Sequence, residues 1–153
     1  MNEAAAYCVV TVVRGLDPPR KEVTALGSFD DVVAHMRATY DWFADQLADL
    51  RGDDETPSKI PVGGFGVELR NRWGSVVEVG VGGDIWFLIR REPKPAYCYS
   101  DQPPIDGCLA FWLDGWHYTE LGSDELVSRG SCLNAVRRWL EQGAFPEGTG
   151  SND

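Results

Sequence analysis

The feature that most limits the fold is a change of hydrophobic period part-way along the chain. Phe29, Val32, Val33, Met36, Tyr40, Phe43, Leu47 and Leu50 recur at three- and four-residue steps, which gathers them on one face of a helix. Ser28 stands where an N-cap belongs, Asp30 and Asp31 fall in the first turn, where the helix dipole favours acids, and Gly52 ends the segment. From Phe65 the period becomes two. Phe65, Val67 and Leu69 alternate with Glu68, Arg70 and Arg72, the pattern of a strand with one buried face. A chain that makes this switch cannot be a helical bundle and cannot be all β.

The remaining elements follow from shorter signals. Tyr7 to Arg14 (YCVVTVVR) is β-branched and reads as a strand, with Val23 to Leu26 as a short second one. Trp73 and Gly74 form a turn after the Phe65 to Arg72 strand. Ser75 to Val81 and Ile85 to Arg90 then pair through Gly82 and Gly83, where positive φ is free of Cβ strain. Leu109 to Leu113 and Tyr118 to Leu121 make two further strands around a turn at Asp114 and Gly115. A last helix is capped by Ser131, carries Leu133, Val136, Trp139 and Leu140 on one face, and stops at Gly143. The expected fold is α+β: a mainly antiparallel sheet of five to seven strands with two main helices on one face. Residues 1–146 form a single domain on this reading, and residues 147–153 (EGTGSND) form a disordered tail.

Charge separates function classes. The net charge is −10 over 153 residues, and between Asp30 and Glu55 eight acids face two bases, a local balance of −6. Asp41, Asp45 and Asp49 are spaced four apart, so on a helix they stack as one ridge. Each like-charged neighbour costs a few tenths of a kcal/mol, a cost that a basic partner would offset. Such a field repels phosphate backbones, so direct nucleic-acid binding is not expected, and it speeds encounter with a basic protein. The N-terminal run MNEAAAYCVVTVVRG carries Glu3 and is too short and β-branched for export or spanning. No membrane contact is expected, and the cytoplasm is the expected compartment. Cys8, Cys98, Cys108 and Cys132 are widely separated, with no zinc spacing, and read as reduced thiols.

Motifs for chemistry are sparse. The glycine stretches GGFG (Gly63 to Gly66) and GVGGD (Gly80 to Asp84) lack the context of a phosphate loop or dinucleotide fingerprint and serve turns and bulges. No cofactor or metal is called for. His35 and His117 read as surface or turn histidines, and no catalytic residue is assigned. Cys108 with His117 as a thiol dyad is the alternative from a different class, a small-molecule-binding or hydrolytic domain.

Trp86, Trp112 and Trp116 lie on or between strands, with Tyr97 and Tyr99 in the long proline loop and Asp84, Asp101, Asp106, Asp114 and Glu120 near them in sequence. Aromatic anchors beside charge suit a protein interface, although each tryptophan taken singly also suits the core. Two surfaces are therefore candidates for a partner: Asp41, Asp45 and Asp49, and the group Asp84, Trp86, Asp114, Trp116 and Glu120.

The order of elements and several short motifs resemble immunity protein family one of bacterial polymorphic toxin systems. The motifs are SFDDV at the helix entry, the strand SVVEVGVGGD, the Phe111 to Gly115 turn, Glu120 in the next strand, and a last helix running to GAFP. The resemblance covers Val23 to Pro146, with Gly80, Gly82 and Glu120 as matched positions. It implies an α+β cytoplasmic antidote that binds the catalytic domain of its cognate toxin, in this family often deaminase-like or nuclease-like. Charge agrees in sign, because toxins acting on nucleic acid carry basic channels that acidic and aromatic groups can occupy.

Overall fold

The computed structural model describes residues 6–14, 20–52, 62–97, 108–113, 117–122 and 125–145. The Asp114 and Gly115 turn, Trp116, Cys98, Tyr99, Asp101, Asp106 and the tail lie outside the described residues. In chain order the elements are β1 (Cys8–Arg14), β2 (Arg20–Leu26), α1 (Phe29–Gly52), β3 (Val62–Asn71), β4 (Val76–Gly82), β5 (Ile85–Glu92), β6 (Ala96–Tyr97), β7 (Cys108–Leu113), β8 (His117–Gly122), β9 (Val127–Ser128) and α2 (Arg129–Gln142). The fold is α+β, an open and mainly antiparallel sheet with both helices against one face.

The sheet runs β2-β1-β3-β4-β5-β6. β4 occupies one edge of β3 from Gly64 to Arg70. The other edge is shared: β1 pairs with Glu68 to Asn71, and β7 runs parallel to Val62 to Phe65. The sheet therefore forks along β3, with β1 leaving on one branch and the β7–β8 hairpin on the other. β9 adds to β5 at Ile85 and Trp86.

Alternation decides what each face buries. Val10 and Val12, Phe65, Val67 and Leu69, Val77, Val79 and Val81, and Trp86 and Leu88 point to the helices. They meet Val32, Met36 and Phe43 of α1 and Cys132, Val136, Trp139 and Leu140 of α2. Each large side chain fully buried here contributes about 1.5 to 3 kcal/mol. The opposite face of β5 is covered as well. Phe87, flanked by Ile85 and Ile89, packs with Phe111, Leu121 and Leu126 in a second cluster. The Phe87 and Phe111 rings meet edge to face at 4.9 Å. A Cβ on Gly80 would overlap the Phe87 ring, so the bare backbone of β4 is the floor of this cluster.

Three local expectations are corrected. The α2 cap is Ser128, whose Oγ accepts from the Ser131 N–H at 3.3 Å. Both serines fit the capping spacing, and the pairing of β9 with β5 selects the earlier one. Gly82 and Gly83 do not take positive φ, which among the described glycines is found at Gly74 and Gly143. Gly82 is required instead because a Cβ there would meet the Gly63 and Ile85 carbonyl oxygens. β2 begins at Arg20, three residues before the expected start.

Candidate functional site

α1 is placed by one buried stripe. Ser28 Oγ accepts from the Asp31 N–H at 3.1 Å, and Val32, Met36, Thr39 and Phe43 then descend into the core. Phe43 stacks on Phe65 at 5.0 Å, and Trp42 meets the edge of the same ring at 5.7 Å. Arg14 of β1 lies over the Trp42 ring at 4.6 Å. These contacts fix the rotation of the helix, and Asp41 and Asp45 are left exposed one turn apart. Asp49 follows one turn further within α1; its side chain lies outside the described residues.

His35 is half-buried on this helix, beside Arg14 and Glu22. Burial first, and then the Arg14 charge, lower its pKa below the ordinary histidine value. Its carbonyl accepts from Thr39 Oγ1 at 2.8 Å.

The described members of the second candidate group, Asp84, Trp86 and Glu120, do not form one surface. Asp84 sits in the β4–β5 turn with its carboxylate 93% exposed and 3.9 Å from Arg129 Nη2, while its carbonyl accepts from the Arg129 N–H at 2.9 Å. Trp86, only 3% exposed, belongs to the helix-side core, and its indole N–H donates to the Gly83 carbonyl at 2.9 Å. It holds the turn from inside and is not a surface anchor. Glu120 is exposed on β8, opposite Ala110. The paired row Gly82, Gly64, Phe111, Thr119 puts three strand spacings between the Asp84 turn and Glu120, or roughly 14 Å. Asp114 and Trp116 lie outside the described residues.

Register also separates the thiol dyad. Cys108 pairs with Gly122 at one end of the β7–β8 ladder, and His117 pairs with Leu113 at the other. Five residues of strand, roughly 17 Å of backbone, separate the two positions. Cys8 and Cys132 are buried thiols outside any disulfide, and desolvation pushes the Cys8 thiol up to about 12. Among the described residues no group of three His, Cys, Asp or Glu side chains is placed to hold a metal ion. No described helix is long and apolar enough to cross a membrane.

No family model, curated protein or solved structure matches this chain. The resemblance to the immunity family rests on the motifs named above.

One arrangement lay beyond sequence reasoning. On the face of the sheet away from the helices, Glu68 of β3 and Glu78 of β4 are direct cross-strand partners. Glu78 is 4% exposed and paired with Arg91 of β5. A cavity of about 50 Å³ opens there, lined also by Thr11, Lys21 and Gly66. It forms where β1 parts from β3 and Gly66 supplies no side chain. That volume admits a few water molecules and no metabolite. The signal in the sequence is slight: a single Glu inside VVEV, which alternation sends to the face opposite its valine neighbours.

Proposed function

We propose that this chain is an immunity protein that binds a cognate bacterial toxin domain, a deaminase or nuclease acting on nucleic acid, and blocks its basic substrate site. The observation that carries the reading is the exposed carboxylate pair Asp41 and Asp45 on a helix whose opposite side is locked into the core by Phe43, Trp42 and Phe65. A rigid helix presents charge without an ordering cost at binding. With a net charge of −10, the field around it accelerates encounter with a basic surface. Asp49 follows Asp45 by four residues in the sequence. Asp84 and Glu120 are further exposed acids at two separate places on the sheet, and the resemblance in SFDDV, SVVEVGVGGD and GAFP favours the same role.

The test is co-expression with the protein encoded beside this one. The expected result is rescue of growth from the neighbour's toxicity, together with a complex that survives co-purification. A toxic basic neighbour that is neither neutralised nor bound would overturn the reading.

A further inference from the structure

The strongest unassigned feature is at the opposite pole in charge. Among the described residues, the large apolar side chains left most open are Val23 and Trp73, and Trp73 is 55% exposed. Val23 stands on edge strand β2, where a lone exposed valine is ordinary. Trp73 is different because its surroundings hold it still. It occupies the β3–β4 turn, in which Asn71 Oδ1 accepts from the N–H groups of Trp73 and Ser75, each at 3.0 Å. Gly74 closes the turn with φ of 85°. The indole lies against Gly143, the αL cap of α2, so closely that a Cβ there would be 3.2 Å from the ring. The Arg72 guanidinium sits over the ring at 5.3 Å.

The charge around this ring is reversed from that of the whole molecule. The segments Arg70–Val76 and Arg90–Pro95 carry five bases and one acid. Pairing of Val76 with Glu92 brings the two segments side by side. Arg91 is engaged by Glu78, while Arg70, Arg72 and Lys94 are exposed. Arg90 lies over Phe145, two residues beyond Gly143, and donates from Nε to the Lys94 carbonyl at 2.7 Å. A preorganised Trp flanked by Arg is the composition of an interface hot spot.

We propose that Trp73, with Arg72, Arg90 and Lys94, forms a docking surface for an acidic linear segment of a second protein. Trp73 packs an apolar side chain of that segment, and the bases pair with its carboxylates. The choice of a short acidic segment over nucleic acid follows from screening. At physiological salt the Debye length is about 8 Å, so a short segment responds to the local bases, whereas a long phosphate backbone also meets the surrounding −10 field. This surface shares no residue with the α1 ridge, and it stands or falls independently of the immunity reading.

The test uses fluorescence anisotropy on the full chain with three labelled probes: an acetylated peptide of eight glutamates around one leucine, its lysine counterpart, and an oligothymidylate several times longer than either peptide. The expected result is saturable binding of the glutamate peptide alone, weakened about tenfold by Trp73→Ala and by Arg72→Glu. Raising NaCl from about 50 to about 300 mM should weaken it as well. Arg72 is an exposed turn residue, so its variant tests the surface even if Trp73→Ala were to loosen the turn. Absence of binding, equal or tighter binding of either control probe, or binding unchanged in both folded variants would overturn the proposal.

Discussion

The Asn71 side-chain amide donates to the carbonyl oxygen of Trp139 at 3.2 Å and so ties the β3–β4 turn to the last turn of α2. Asn71 is 4% exposed, and its Oδ1 takes two turn N–H groups at the same time. The indole of Trp139 completes the bracket by donating to Ser75 Oγ at 3.1 Å. One asparagine thus satisfies backbone groups of two elements that are 68 residues apart. Asn71→Leu should lower stability by about 2 to 3 kcal/mol in urea denaturation, since buried polar groups are left unmatched. Asn71→Asp should not restore it, because the acid keeps the acceptor, lacks the donor, and puts charge beside a helix C-terminus.

The floor of the second cluster gives a steric prediction. Gly80→Ala forces its methyl group into the Phe87 ring, and overpacking of this kind costs about 1 to 3 kcal/mol. Adding Phe87→Leu to the same chain should recover part of that loss. Measuring both variants and the double variant by denaturation would show the coupling; strictly additive losses would contradict the packing described.

Cys8 predicts alkaline behaviour. Its thiol is raised from 9.0 to about 12 by burial, so the folded state holds a proton that the unfolded state releases. The stabilisation is fully present below pH 9 and is lost as pH rises toward 12, with a slope of about 1.4 kcal/mol per pH unit for one proton. Other groups titrate in that window, so the informative quantity is the difference from Cys8→Val. That variant should show a shallower fall in stability between pH 9 and 12.

The Glu78 and Arg91 pair predicts a modest effect. Arg91 is about half exposed, with its side chain at 48%, whereas Glu78 is buried. Arg91→Ala should destabilise by about 1 to 2 kcal/mol, below the cost of breaking a fully buried pair. Thermal melts of the native chain and of the variant would check this.

Sequence reasoning succeeded where the deciding information is local. The α1 stripe from Phe29 to Phe43, its Ser28 cap and the alternation in β3 are each set within a few residues. It stopped where partners are remote. The parallel pairing of β7 with β3 has no local signature, because it is chosen by the free half of a long strand edge. Both faces of β5 are covered, Trp86 and Leu88 by the helices and Phe87 by the second cluster, and the covering groups are remote in sequence. Trp86, a candidate surface anchor, is core, whereas Trp73, placed in a turn, is 55% exposed.

The central claim is that the α1 ridge meets a basic partner. The most direct measurement is the affinity of this chain for the protein encoded beside it, the partner proposed above, determined by calorimetry at several salt concentrations for the native chain and for Asp41→Asn, Asp45→Asn, Asp49→Asn combined. The predicted result is tight binding that weakens with salt, with the triple variant about tenfold weaker or more and less salt-dependent. Affinity and salt dependence unchanged in the folded triple variant would contradict the account.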